Sequence, residues 1–103
     1  MSQTVLSYTR IREYAERWTW MDLKSRRRYE GLNPPPDAVE KKRVPFNVLF
    51  LTDSGKAISG KCITLRVNTE LHTREVMFVE SGEIRQISDL FIIEIDGVRF
   101  NVH

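Results

Sequence analysis

The residues most able to carry chemistry are few, and their spacing is easily tested. Gly55-Lys56-Ala57-Ile58-Ser59-Gly60-Lys61-Cys62 nearly spells the phosphate-binding pattern G-x-x-x-x-G-K-[ST]. Two features exclude that chemistry. Cys62 stands where a hydroxyl must help hold Mg²⁺, and Ile63-Thr64-Leu65-Arg66-Val67 alternates with β period where a helix should open on the phosphates. The two histidines, His72 and His103, lack Cys, His or carboxylate companions at ligand spacing, so neither a metal nor a cofactor is expected. Cys62, the single cysteine, alternates with its strand's apolar set and is predicted to face outward. No base or oxyanion donor accompanies it, so no nucleophilic role is predicted. Asp53, Asp89 and Asp96 fall at predicted turns, where Asp serves local backbone hydrogen bonds. These readings predict a protein that is not an enzyme.

A basic, aromatic stretch is the stronger candidate. Arg10, Arg17, Lys24, Arg26, Arg27 and Arg28 are interspersed with Tyr14, Trp18, Trp20 and Tyr29. Cations neutralise phosphates and exposed rings stack on bases, so these six cations are the candidate nucleic-acid-binding set. The competing interpretation is a solvated basic face beside a docked apolar stripe, because four acids share the segment.

The elements that must position these residues divide the chain. Residues 1–43 hold 10 Lys/Arg and 6 Asp/Glu, whereas residues 44–103 hold 6 and 8. All Tyr and Trp precede residue 44 and all five Phe follow it. Residues 1–30 read as a basic amphipathic helix or helix pair: from Ser7 to Glu30 there is no Gly or Pro, and Ile11, Tyr14, Ala15, Trp18, Met21, Ser25 and Tyr29 share one arc. Trp20 and Leu23 point away from that arc, which makes them the candidate partner-binding residues unless the helix breaks near Thr19. Residues 31–43, with Pro34-Pro35-Pro36, read as a stiff linker.

Residues 44–103 read as five or six short strands. Phe46, Val48 and Phe50 alternate with Asn47, Leu49 and Leu51; Asp53-Ser54-Gly55-Lys56 and Ser81-Gly82 are turn chemistry. Ser88-Asp89-Leu90 fits one tight helical turn, and Asp96-Gly97 between two β runs predicts a type I′ hairpin. The predicted core is Phe46, Val48, Phe50, Ile63, Leu65, Val67, Val76, Phe78, Ile87, Ile93, Ile95, Val98 and Phe100. The fold expected is α+β: the helical segment followed by a small antiparallel barrel.

Pro45–Phe50, Asp53–Lys56, Gly82–Ile87 and Ile92–Val98 together resemble the strand order of SH3-like small barrels, and of short proteins of Bacteroides-type bacteria and their mobile elements. The resemblance spans roughly residues 44–102, rests on turns and alternation, and assigns no functional residue. The function expected is that of a non-enzymatic protein-interaction or assembly module, of phage or mobile-element kind, binding a protein partner or itself. The alternative is a small nucleic-acid-binding protein using the basic stretch. No run of about 20 apolar residues and no basic-then-apolar leader is visible, so a cytoplasmic protein without a membrane partner is expected.

Overall fold

A computed structural model describes the backbone of residues 4–100 and the side chains from residue 8 onward. Among the described residues, one α-helix, α1 (Thr4–Ala15), precedes nine strands in two open antiparallel sheets. The first sheet contains β1 (Trp18–Met21), β2 (Arg28–Gly31) and β3 (Val39–Arg43), in the order β2-β1-β3. The second contains β4 (Phe46–Leu51), β5 (Ala57–Asn68), β6 (Thr73–Phe78), β7 (Ile84–Ser88), β8 (Ile92–Ile95) and β9 (Val98–Arg99). Its order is β7-β6-β5-β4-β8-β9.

The sheet does not close. Among the described residues β7 and β9 lie at opposite edges with no pairing between them, so the expected SH3-like barrel is not formed. The turns are those anticipated. Gly55 turns β4 into β5 at φ 84°, with its amide donating to the Thr52 carbonyl at 2.8 Å. Asp96 and Gly97 have φ of 51° and 81°, the double positive φ that a type I′ hairpin requires. Asp89–Phe91 forms a single 3-10 turn, capped where the Leu90 amide donates to the Ser88 hydroxyl.

The core lies on one face of the six-stranded sheet, under α1. Ile11 and Ala15 from the helix meet Phe46, Val48, Phe50, Cys62, Val76, Phe78, Ile87, Ile92, Ile95 and Phe100. The inward parity of β5 is opposite to that expected over much of its length. Cys62 and Thr64 are fully buried, whereas Leu65 is exposed and Ile63 half-buried. Pairing explains this. Phe46 stands opposite Cys62, Val48 opposite Gly60 and Cys62 opposite Phe78. Small residues on the inward side of β5 make room for phenylalanines on both neighbours, as interdigitated packing demands. A Cβ on Gly60 would come within 2.8 Å of the Phe78 ring.

Two bulges complete the correction. A register shift between Thr64 and Arg66 resets parity, so Val67 stands opposite Arg74 on the core-facing side. A second, where β4 meets β8, makes Ile92 and Ile95 the buried pair while Ile93 is half-buried.

The expected long helix ends at Ala15. Three contacts take up the chain there: the Thr64 hydroxyl donates to the Ala15 carbonyl at 2.7 Å, Arg43 Nη1 to the Glu16 carbonyl at 2.8 Å, and the Val44 amide to the Arg17 carbonyl at 3.0 Å. Trp18-Thr19-Trp20-Met21 then continues as a strand, in keeping with its aromatic and β-branched content. The residues expected to form a Pro-rich linker instead hold a loop, in which the Ala38 amide donates to the Pro35 carbonyl, and then β3. His103, one of the two histidines weighed as a ligand, lies outside the described residues.

Candidate functional site

The basic, aromatic residues form a sheet. Residues directly opposite on antiparallel strands share a face. Trp18 pairs with Gly31 and Arg43, and Trp20 with Tyr29, so these five residues line one side. Thr19, Met21, Arg28, Glu30, Val39 and Lys42 line the other. The Trp20 and Tyr29 rings are 6.2 Å apart at 27°. Gly31 matters here: a Cβ at that position would come within 3.2 Å of Trp20 Cη2, so the indole lies against bare backbone. Arg43 places its guanidinium 4.0 Å from the Trp18 ring centroid, and Lys41 its ammonium 5.9 Å away. Burial lowers the Arg43 pKa; the Glu16 charge opposes that shift.

The β1–β2 turn is built by Asp22. Its carboxylate accepts from the Lys24 amide at 3.1 Å and the Ser25 amide at 2.7 Å. Those bonds, with the Ser25 amide foremost, hold its carboxyl below the ordinary aspartate range. Arg26 takes a left-handed φ of 60°, and the Arg26 amide donates to the Asp22 carbonyl at 3.0 Å. The turn thereby projects Lys24, Arg26 and Arg27 into solvent, with Leu23 49% exposed beside them. Arg26, Arg27, Lys41 and Lys42 enter no ion pair among the described residues. Residues 17–43 carry eight Lys/Arg against four Asp/Glu, so the basic excess of the first half of the chain belongs to this sheet.

The predicted site residues are thus partly gathered. Lys24, Arg26, Arg27 and Arg28 cluster at the turn, and Arg28 is paired with Glu40. Arg17 is held between Glu30 at 3.8 Å and Asp96 at 3.7 Å, tying the small sheet to the β8–β9 turn. Arg10 lies on α1 over the Phe100 ring. Trp20 and Leu23 fall on a strand and its turn, not on the outer face of a helix. Lys41 and Lys42 were missed because residues 31–43 read as a linker. Trp18 and Trp20, two residues apart, carried the β-period signal.

A second cluster lies beneath α1. Arg74, 2% exposed, donates through Nε to Asp89 Oδ1 at 2.8 Å and through Nη2 to Asp89 Oδ2 and Glu16 Oε2, both at 3.1 Å. Burial would depress its pKa, but the Asp89 hydrogen bond and charge, then Glu16, outweigh it and raise the value. A cleft of about 150 Å³ opens above this cluster, where Tyr8 stacks on His72 at 4.0 Å. Every acceptor facing Arg74 is engaged, which makes the cluster a clasp joining helix, sheet and 3-10 turn. Sequence parity carried its signal: Arg74, Val76 and Phe78 alternate on one side of β6.

Cys62 is buried, and burial, with Asp96 adding to it against Arg74, pushes its thiol up to about 12. Lys61 lies on strand β5, so the phosphate-loop near-match has no helix behind it. Among the described residues no helix is long and apolar enough to cross a membrane.

No protein-family model, curated protein or solved structure matches the chain. The resemblance to SH3-like barrels and to proteins of Bacteroides-type bacteria therefore has neither a matching topology nor a matching relative behind it.

Proposed function

We propose that the protein is a non-enzymatic interaction module that holds an anionic partner on its three-stranded sheet. The observation that carries this reading is the union of unpaired cations and half-buried aromatic rings on a sheet that supplies nothing to the core. Among the described residues 17–45 none is buried, and none joins the hydrophobic cluster. Trp18 and Trp20 remain half-buried on strand β1, and Tyr29 is 47% exposed on β2. Aromatic residues and arginine are enriched where partners bind. The reactive groups elsewhere support binding over catalysis: Cys62 is buried with a raised pKa, and Asp89 is spent on Arg74.

The test is retention of the full chain on immobilised heparin, compared with Arg26→Glu/Arg27→Glu. Both side chains are exposed at the turn, so circular dichroism should not change. Wild type should elute at clearly higher salt than the double variant. Co-elution of the two would remove the turn cations from the binding surface and overturn the reading. Sedimentation across a concentration series decides whether the same face, with Trp20 and Leu23, pairs with a second copy instead.

A further inference from the structure

We infer that the occupant of this sheet is a single-stranded nucleic acid, with bases stacked on Trp20 and Tyr29 and phosphates along the cations of the β1–β2 turn and β3. The inference rests on the anion-binding reading above and adds the chemistry of the partner. Charge alone would fit an acidic polypeptide equally well. The aromatic geometry makes the difference.

Trp20 and Tyr29 are a cross-strand pair with nearly parallel rings on the same side of the sheet. Trp20 lies against Gly31, whose missing side chain is what allows the indole to rest there. The indole meets Gly31 through its Cη2 and Cζ3 atoms, and an aromatic ring left uncrowded there can meet a base through its π-face, whatever the sequence. A duplex keeps its base faces covered by neighbouring pairs, so it cannot use this platform. Beside the rings, Lys41 on β3 and Arg26 and Arg27 at the turn flank the platform, and none of them enters an ion pair among the described residues. Rings flanked by cations form the combination that tracks a single strand: stacking for bases, charge for the backbone. Trp18 has a different part. Arg43 and Lys41 already occupy its neighbourhood, so it supports the cations and leaves the stacking to Trp20 and Tyr29.

The chain's only two tryptophans, Trp18 and Trp20, both lie on β1, so intrinsic tryptophan emission reports this sheet alone. The experiment titrates the full chain with single-stranded oligothymidylate, oligouridylate, a DNA duplex and poly-L-glutamate, reading tryptophan quenching and the anisotropy of labelled strands. Both single strands should bind and quench, with a log–log salt slope of about −2, as for roughly three neutralised phosphates. Trp20→Ala should weaken single-strand binding about tenfold, the usual worth of one stacked base. Tyr29→Val, on an edge strand that tolerates a β-branched residue, should weaken it several-fold and serves if Trp20→Ala loses its β-type circular dichroism. Lys41→Gln should flatten the salt slope. Lys56→Ala, on the β4–β5 turn of the other sheet, should change nothing.

Equal affinity for duplex and single strand, or single-strand binding unaffected by both Trp20→Ala and Tyr29→Val, would overturn the nucleic-acid inference. So would tight binding of poly-L-glutamate with no binding of oligonucleotides, which leaves the anion-binding reading standing. Binding of none of these polyanions would overturn both.

Discussion

The two sheets of this protein use similar strands for opposite ends. The six-stranded sheet turns one face to α1 and fills it with phenylalanines, isoleucines and small residues; its buried members include Phe46, Val48, Cys62, Val76 and Ile95. The three-stranded sheet, with two tryptophans and a tyrosine in its strands, buries none of them. Hydrophobic content alone therefore does not decide which sheet forms the core. The decision comes from what stands opposite. Phe46 and Phe78 each face Cys62, and a fitted layer results. Trp20 faces Tyr29, and Arg43 covers Trp18, so the rings of the small sheet are met by one another and by cations. The small sheet is joined to the rest by polar ties: Arg43 to Glu16 and Arg17 to Asp96. A sheet so little buried has lower local stability, a property expected of binding elements.

The largest effect that would break this contrast lies at the clasp. Arg74→Met preserves most of the side-chain volume but strands the buried Asp89 carboxylate and leaves Glu16 with Arg12 alone. Removing one partner of a buried ionic set costs about 3–5 kcal/mol, and urea unfolding should show a loss of that order. A loss near that of a surface substitution would mean that the clasp is solvated and the core begins elsewhere. Next is the alkaline limb of stability. The Cys62 thiol ionises near 9.0 when unconstrained and near 12 when folded. The folded state thus favours the protonated form, a contribution complete below pH 9 and lost as pH rises toward 12. Over that window wild type should lose stability faster than Cys62→Ala by about 1.4 kcal/mol per pH unit. Parallel curves for the two proteins would place the thiol in solvent.

Smaller effects belong to the small sheet. Trp20→Ala removes one cross-strand aromatic pair and should lower global stability by only about 0.5–1 kcal/mol, against the larger loss at Arg74. A loss comparable to that of Arg74→Met would make the small sheet part of the cooperative core. Least of all is the acid response of the β1–β2 turn. The Asp22 carboxyl lies below its ordinary value of 3.8, so its turn bonds are present above that pH and are lost as pH falls through the lowered value. Exchange of the Lys24 and Ser25 amides should quicken there while the six-stranded sheet remains protected. Asp22→Asn, which cannot ionise, should abolish the pH step.

Much of the six-stranded sheet was legible because its turns are local chemistry. Asp96-Gly97, Gly55 and Ser88-Asp89 need only their own side chains and φ preferences to act. Strand parity in β5 was not legible, because the inward positions hold Gly60, Cys62 and Thr64, whose smallness makes sense only beside Phe46 and Phe78. Closure failed as an inference for a related reason: alternation and turns specify neighbours along a sheet, and whether β7 meets β9 depends on curvature that no short motif encodes. The helix was overextended because an uninterrupted stretch free of Gly and Pro leaves propensity undecided. Long-range bonds from Thr64 and Arg43 ended it at Ala15. The candidate site was half legible. Its residue types were evident between Trp18 and Tyr29, but Lys41 to Arg43 joined them only once β3 paired with β1.

The account's central claim is that stability resides in the six-stranded sheet and recognition in the three-stranded one. Native-state amide hydrogen exchange on the full chain, with urea added below the unfolding transition, tests it most directly. Amides of β4, β5 and β6 should open only with global unfolding, while those of β1, β2 and β3 should open at markedly lower free energy and with little dependence on urea. Exchange of both sheets through a single global opening would contradict the claim, because the small sheet would then be as much a part of the folded core as the large one.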